Sequence, residues 1–168
     1  MKTDFQRAFD WVLKWEGGYC NDEGDPAGAT NMGITHEEFR KWLDKNDMPQ
    51  KSIKNILLQE ARLIYLENYW LPMGCDKIDG PLDVVLFNAA VNTGIKQATL
   101  FLQRAANITA DGIYGPNTNK AAMTGDPRFL ALGIITQQES FYRKLHNAKY
   151  FLRGWLNRLS DLKATFVS

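Results

Sequence analysis

The sequence predicts a mainly α-helical fold with a glycine-rich loop or a short β-hairpin after the first helix. Three observations lead to this expectation. Apolar residues recur at helical spacing through most of the 168-residue chain. Capping boxes, prolines and glycines separate these periodic segments and give each predicted helix a start and an end. Residues 19–34 lack the periodicity and contain three glycines and a proline, which favours a loop or hairpin.

The first helix is predicted to begin at the capping box formed by Thr3 and Gln6 and to end at Gly17-Gly18. Its apolar face comprises Phe5, Ala8, Phe9, Val12 and Leu13. We expect the glycine pair to supply the positive φ of a helix C-cap. A second helix, from a capping box of Thr35 and Glu38 to about residue 45, follows the polar segment.

A third helix is predicted from Ser52 to Pro72. Its inward face comprises Ile53, Ile56, Leu57, Ala61, Ile64 and Tyr65. The helix that starts at Pro81 should end at Gly94. Four more helices are expected: over 96–106, from Pro116, over 127–148 and over 154–164. A weak boundary near residues 92–96 suggests a division of the chain into regions 1–91 and 92–168.

Composition excludes several classes of protein. Hydrophobic residues make up 45% and charged residues 23% of the chain, enough to bury a sizeable core. The formal net charge of +1 argues against a polyanion-binding patch over the whole surface but leaves room for a local basic cleft, and no nucleic-acid partner is expected. The sequence has no apolar run long enough to span a membrane and no signal peptide at its start, so we expect synthesis in the cytoplasm without stable membrane insertion.

The cysteines and histidines indicate neither a disulfide framework nor a metal centre. Cys20 and Cys75 form no CxxC motif and are interpreted as thiols in preference to a disulfide. His36 and His146 are far apart in the sequence, so we do not expect a metal site built from histidine and cysteine ligands. No metal or cofactor is implied.

Glu16 is an unusual residue at the end of a predicted helix. Unpaired carbonyl groups give a helix C-terminus partial negative charge, which normally selects Lys or Arg there. That charge, and exclusion of water by Trp15, disfavour the carboxylate anion and favour the protonated form that a general acid needs. A position that breaks a local rule is a functional candidate, although a solvated or ion-paired Glu16 is the structural alternative.

Candidate partners of Glu16 follow in the polar segment. A carboxyl acid together with a second carboxylate, or a hydroxyl that positions water, is the equipment for cleaving a glycosidic bond. Asp25 and Thr30 are therefore candidate catalytic residues, and Thr35 is a candidate for contacting substrate. Each also has a structural interpretation: Asp25 as a turn former, Thr30 as a loop residue, and Thr35 as the N-cap of the second helix.

The same segment resembles a known family. "EGGY…DPAGATNMGIT" is similar to the signature of the glycoside hydrolase family 108 N-acetylmuramidases, lysozyme-like enzymes of phages and bacteria, some of them described as secretion activators. Matching residues are Glu16, Gly17, Gly18, Tyr19, Asn21, Asp22, Asp25, Pro26, Gly28, Ala29, Thr30, Asn31, Gly33, Ile34 and Thr35. Ala27 stands where the family commonly has glycine.

The resemblance continues along the chain. "YLENYW", followed by Cys75-Asp76, looks like a family segment, and "FNAAVNTG" is similar to another in which Asn88 replaces an aspartate. "LQRAANITADGIYGPNT" and "FYRKL…FLRGWLNRL" resemble the predicted peptidoglycan-binding half of such proteins. The resemblance thus describes residues 1–91 as a catalytic region and residues 92–168 as a helical peptidoglycan-binding region.

The resemblance implies a lysozyme-like helical fold, peptidoglycan glycan strands as substrate, and Glu16 as the general acid of an N-acetylmuramidase. By analogy with the spacing in phage-type lysozymes, Asp25 is the second catalytic candidate, with Thr30 positioning water. Carbohydrate recognition favours aromatic faces and planar amides, which adds Tyr19, Tyr69, Trp70 and Asn92 as substrate-binding candidates. Core packing is the alternative for Tyr69 and Trp70, and helix capping for Asn92.

Three alternative functions remain open at this stage. A lytic transglycosylase would use the same Glu16 without water, and a chitinase would accept glycan without the lactyl group. A non-catalytic wall-binding or secretion-helper protein would not depend on Glu16. A chain without a signal peptide would reach the cell wall or periplasm through a holin or another export route, as an endolysin does.

Overall fold

A computed structural model of the chain describes residues 5–21 and 28–168. These residues form two compact units. The hairpin unit is Phe9–Asn68, and the bundle unit contains Tyr69–Ser168 and the beginning of the first helix up to Ala8. Across residues 5–21 and 28–168 the structure has eight α-helices and one sheet of two short strands. The expected mainly α-helical, lysozyme-like class is confirmed.

The hairpin unit contains a small sheet and three α-helices, the first of which starts before it. Helix α1 is Phe5–Trp15, followed by strands β1 (Thr30–Asn31) and β2 (Ile34–Thr35) and by helix α2 (His36–Lys45). A 3₁₀ turn at Ile53–Asn55 and helix α3 (Leu58–Tyr65) follow, and a π-helical turn at Leu66–Trp70 begins in this unit and ends in the bundle unit. The buried side chains of α1 begin at Ala8 and Phe9 and continue with Trp11 and Val12, so the predicted apolar face is largely correct.

The two strands form a tight antiparallel hairpin, one of the two structures expected for this segment. Thr30 pairs with Thr35, and Asn31 pairs with Ile34. Met32 and Gly33 lie between the strands with φ of 51° and 75°, the left-handed values that a two-residue type I′ turn requires. Asn31 also donates a side-chain hydrogen bond to the carbonyl of Ile53, at 3.2 Å, which fixes the buried face of the hairpin on the 3₁₀ turn.

The single helix predicted from Ser52 to Pro72 is wrong: the segment is divided into three helical pieces. Ser52 caps only the 3₁₀ turn, and Ile56 and Leu57 are extended. The Glu60 carboxylate accepts the N–H of Leu57 at 2.8 Å, which starts α3 there instead. Leu57 is 59% exposed and not buried as expected, because the break turns it away from the face that buries Ala61 and Ile64.

The bundle unit is built around helix α4 (Leu82–Thr93), which ends as predicted at Gly94. Nine consecutive residues of α4, from Leu82 to Ala90, are buried. Such all-round burial is typical of a central helix. Helices α5 (Ile95–Ala105) and α7 (Pro127–Arg143) pack against α4 and against each other. Helix α6 (Pro116–Thr124) packs on α5 and α7.

Two predicted boundaries in the second half are wrong. Helix α7 ends at Arg143 and not near 148, and helix α8 covers Ala148–Leu162, starting before the expected residue 154. The N–H groups of Lys144 and Leu145 bond to carbonyls three residues back, so the chain tightens and leaves the helix. Apolar periodicity continues through this turn, which is why the sequence did not reveal it. In the described part of the chain, we find no helix that is both long and apolar enough to cross a membrane.

Candidate active site

Glu16 is the first residue beyond α1. The helix ends at Trp15, and the N–H of Glu16 donates to the carbonyl of Leu13 at 3.1 Å. The expected left-handed glycine at 17 or 18 is wrong, since neither glycine has a positive φ. The chain instead leaves the helix toward an antiparallel bridge between Cys20 and Thr30. Glu16 and Trp15 are both half-buried, so the carboxyl group is shielded but reachable.

The hairpin turn lies directly against the Glu16 carboxyl group. A Cβ atom added to Gly33 would lie 2.7 Å from Oε2 of Glu16 and 2.5 Å from the Tyr65 hydroxyl oxygen. Both distances are below any normal contact, and the φ of 75° at Gly33 independently favours glycine. Gly33 therefore allows a carboxyl group and a phenol to approach the same point of the backbone.

Tyr65 connects the end of α3 to this turn. Its ring is 1% exposed and packs edge-on against Phe9 of α1, with ring centroids 5.5 Å apart. Its hydroxyl group donates to the carbonyl of Met32 at 2.9 Å. The phenol thus fixes the hairpin turn in the position that places Gly33 against Glu16.

Thr30 and Thr35 face each other across the hairpin and are both half-buried. Side chains of directly opposed residues share one face of a hairpin, and the buried Asn31 and Ile34 occupy the other. Thr35 is also the N-cap of α2, because its Oγ1 accepts the N–H of Glu38 at 3.1 Å. The capping interpretation of Thr35 is confirmed. Asp25, the second catalytic candidate, lies outside the described residues.

A cavity of about 440 Å³ borders the start of α2 within the hairpin unit. Its lining residues are Thr35, Glu37, Glu38, Lys41, Trp42, Lys45 and Asn68. Asn68 donates to Glu38 at 3.0 Å, so two planar polar groups are held in fixed orientation at its wall. The buried indole Nε1 of Trp42 has no hydrogen-bond partner within residues 5–21 and 28–168. The volume is typical of small-ligand sites.

The predicted aromatic contacts differ in their accessibility. Tyr19 is 45% exposed, with the Lys54 ammonium 5.8 Å from its ring centroid, so one ring is presented to solvent in the hairpin unit. Trp70, in the bundle unit, is 3% exposed and packs against Phe5 and Phe87. Trp70 is therefore a core residue with no ring face available for a sugar, and the core alternative applies.

Two further candidates belong to the bundle unit. Tyr69 is half-buried in the π-helical turn. Asn92 is also half-buried and donates its side-chain N–H groups to the carbonyl and to Oδ1 of Asn88, at 2.7 and 2.9 Å. Its amide group is thus engaged within α4 itself.

Sequence reasoning missed two residues that shape the surroundings of Glu16. Gly33 was one matching residue among many, and Tyr65 was assigned to the inward face of a long helix. The dipeptide Met32-Gly33, with glycine at its second position, is the signal for a two-residue turn. The contact with Glu16 had no signal, because it joins residues from three separate elements.

Comparisons with known proteins agree with this architecture. Residues 9–94 match the family model described as Glycosyl hydrolase 108, and residues 96–160 match the model described as Predicted Peptidoglycan domain. The chain is similar to the structure described as that of Brucella abortus SagA, at 27% identity and a TM-score of 0.82, over 95% of this chain and 91% of that chain. No protein of the curated set matches the chain.

The matched ranges and the two structural units divide the chain at different places, and the division into 1–91 and 92–168 stays a prediction. The first family model covers just over half of the chain, and the second follows it almost without a gap. A helical fold with a half-buried carboxyl group behind a tight hairpin fits this assignment. The chain therefore belongs to the glycosyl hydrolase 108 family and is a glycoside hydrolase that acts on peptidoglycan.

Proposed function

We propose that the protein is an N-acetylmuramidase that hydrolyses the β-1,4 bond between N-acetylmuramic acid and N-acetylglucosamine, with Glu16 as general acid. The observation that carries the proposal is the placement of the Glu16 carboxyl group against the glycine of the hairpin turn. Such an arrangement holds the acid in one orientation while leaving it half-exposed to a substrate.

Glu16 lies where a general acid can reach a bound substrate. It is the first residue after α1, and both it and the neighbouring Trp15 are half-buried. Glu16 would then give its proton to the leaving glycosidic oxygen as the C–O bond breaks and an oxocarbenium-like centre develops.

The second catalytic group is proposed from the sequence to be Asp25, with Thr30 as the residue that orients water. A carboxylate would stabilise the developing positive charge or take a proton from the attacking water. Thr30 shares one face of the hairpin with Thr35, which borders the cavity beside α2. We propose this cavity and the exposed ring of Tyr19 as positions for the sugar rings flanking the cleaved bond.

Digestion of purified peptidoglycan by wild type and by Glu16→Gln tests the proposal, with products identified by mass spectrometry. We expect reducing muramic acid ends from wild type and their loss by at least a hundredfold in the variant, because removing an essential acid costs about 10²–10⁴ in rate. Glu139→Gln is the matched control, since it removes an exposed surface carboxylate paired with Arg143. Thermal unfolding followed by circular dichroism verifies that each variant is folded.

Other outcomes of the digestion have distinct meanings. Anhydromuramic ends would be consistent with Glu16 as the catalytic acid and would assign the protein to the lytic transglycosylases. Undiminished hydrolysis by Glu16→Gln would remove Glu16 from catalysis. The variants Asp25→Asn and Thr30→Ala then identify the second catalytic group. A loss of activity in Asp25→Asn similar to that in Glu16→Gln supports the Asp25 carboxylate. A loss of activity confined to Thr30→Ala supports the Thr30 hydroxyl group.

A further inference from the structure

A cavity of the bundle unit lies between the end of α5 and the start of α6, in the "DGIYGPNT" segment. Its volume is about 580 Å³, within the range of small-ligand sites. Two oppositely charged side chains, Asp111 and Lys120, are among the residues that line it. Apolar wall is supplied by Ile108, Ile113 and Ala121.

The Asp111 end of this cavity is rigidly built. Gln103 is 1% exposed, and its Nε2 donates to Asp111 Oδ1 at 2.7 Å, while its Oε1 accepts the N–H of Gly112 at 2.9 Å. The N–H of Ile113 donates to the same Oδ1 of Asp111 at 2.8 Å. These bonds also lower the pKa of the Asp111 carboxyl group, the Ile113 N–H being the larger cause and the Gln103 amide the second. The aspartate is thus held ionised with one oxygen engaged.

The other carboxylate oxygen and the lysine ammonium remain open to a ligand. No other described residue donates a hydrogen bond to Oδ2 of Asp111, and Nζ of Lys120 forms no ion pair with the described residues. The two charges line one cavity without pairing with each other. The first turn of α6, whose residues Pro116 and Asn117 line the cavity, has no side-chain cap and adds partial positive charge to its wall.

We infer that this cavity binds the peptide stem of peptidoglycan, with Asp111 contacting a side-chain ammonium group and Lys120 contacting a carboxylate. The inference rests on the proposed function, in that it assigns the non-glycan part of the same substrate. A stem peptide carries both charges together with alanine methyl groups, which match Ile108, Ile113 and Ala121. Glycan alone carries no ammonium group that would use Asp111.

Tyr114 does not supply a sugar-stacking face in this cavity. A Cβ atom added to Gly74 would lie 2.8 Å from the Tyr114 hydroxyl oxygen, so the ring packs against that glycine. The residues lining the cavity include no aromatic side chain. Sugar sites favour aromatic faces, and the absence of one from this wall favours the peptide over the glycan.

The experiment uses the full chain, ¹⁵N-labelled, titrated with the synthetic tetrapeptide L-alanyl-γ-D-glutamyl-L-lysyl-D-alanine and separately with chitotetraose. We expect the tetrapeptide to shift amide resonances of residues 103–124. Asp111→Asn keeps the acceptor for Gln103 and Ile113 but removes the charge, and Lys120→Gln touches no side-chain hydrogen bond of the turn. Each should weaken tetrapeptide binding about two- to fivefold, the usual worth of an exposed ion pair. Lys77→Gln, an exposed lysine outside the cavity, should bind as wild type does.

Hydrolysis provides the second readout. Asp111→Asn and Lys120→Gln should raise KM on intact peptidoglycan and leave the rate on amidase-stripped glycan unchanged. Shifts caused by chitotetraose in place of the tetrapeptide would overturn the inference in favour of a glycan site, and shifts caused by neither would overturn it outright. Because the titration requires no turnover, failure of Glu16 as the catalytic acid would leave its result interpretable.

Discussion

At the scale of single residues, the site depends on two unusual residue choices, Glu16 and Gly33. Glu16 follows α1 at a position where helix electrostatics favour a cation, and Gly33 has no side chain where any Cβ would meet Glu16 and Tyr65. Gly33 leaves room for the Glu16 carboxyl group, and the hairpin turn fixes the position of that group. Tyr65 is a positioning residue, because its hydroxyl group donates to the Met32 carbonyl and fixes the turn.

Gly33→Ala should therefore reduce activity more than stability. A left-handed alanine costs about 1–2 kcal/mol, and the added methyl group must also displace the carboxyl group of Glu16. We expect hydrolysis of peptidoglycan to fall at least about tenfold, since small misplacements of a catalytic group are that costly. Gly28→Ala is the control: Gly28 has a φ of 67°, but no atom of residues 5–21 and 28–168 lies within 4 Å of an added Cβ. Equal activity losses in the two variants would mean that backbone strain, and not the displaced Glu16, is responsible.

Asn88 is a second residue whose identity matters. It is fully buried, and its Oδ1 accepts from Arg158 Nε and from Asn92 Nδ2, both at 2.9 Å. Its own Nδ2 has no hydrogen-bond partner among residues 5–21 and 28–168. The Asn88 amide group therefore faces two hydrogen-bond donors, Arg158 and Asn92, although its own Nδ2 is also a donor.

Asn88→Asp should stabilise the fold. The substitution removes a buried donor without a described partner, worth about 1–3 kcal/mol, and strengthens the acceptor opposite Arg158, against the cost of burying a charge. We expect a net gain of about 1 kcal/mol in the free energy of unfolding, measured by urea denaturation. Asn88→Ala, which removes the acceptor as well, should be less stable than wild type. A loss of stability in Asn88→Asp would show that carboxylate desolvation outweighs the ion pair.

At the scale of elements, caps and local bonds determine where helices begin. Thr35, Glu60 and Asp126 each accept a backbone N–H at the start of α2, α3 and α7. Only the Glu60 cap departs from the predicted position, because it acts from within the predicted helix and starts α3 at Leu58. The turn between α7 and α8 has no comparable side-chain signal, and its predicted boundaries were wrong.

Asp126→Ala should destabilise the bundle unit through α7. The Asp126 carboxylate accepts the N–H of Phe129 at 2.7 Å, and loss of such a cap costs about 1 kcal/mol. The measurement is the midpoint of thermal unfolding for Asp126→Ala and Asp126→Asn. Because asparagine caps helices as well as aspartate does, the asparagine variant should remain close to wild type. Equal destabilisation of both would assign the effect to charge instead of capping.

At the scale of the whole molecule, burial determines how the two thiols behave. Both cysteines are free, as expected, but Cys20 is exposed and Cys75 is buried. Burial raises the pKa of the Cys75 thiol well above its usual range, and the charges of Asp83 and Asp76 raise it further. Burial also raises the pKa of the Tyr114 hydroxyl group, with smaller contributions from Cys75 and Asp76. Both groups are therefore held neutral in the folded chain.

Stability should consequently fall in mildly alkaline solution. The folded-state pKa of Cys75 exceeds its unfolded value, so its contribution is complete below the unfolded thiol pKa of about 8.5 and is lost as pH rises above it. We expect the thermal midpoint to decrease between about pH 8 and 9.5, and Cys75→Ala to remove part of that decrease. Cys20→Ala, which removes the exposed thiol, is the matched control. An unchanged pH profile in Cys75→Ala would exclude the thiol as its source.

The sequence by itself determined the mainly α-helical class, most helix starts and the family to which the chain belongs. It also limited the segment after the first helix to a loop or a short hairpin. These features depend on local rules: apolar periodicity, caps, glycines and a contiguous motif from Glu16 to Thr35. Tertiary structure decided the rest. The break at Leu57, the burial of Trp70 among Phe5 and Phe87, and the contact of Gly33 and Tyr65 with Glu16 join residues distant in the chain. Local propensity carries no information about such contacts, because packing of separate elements creates them.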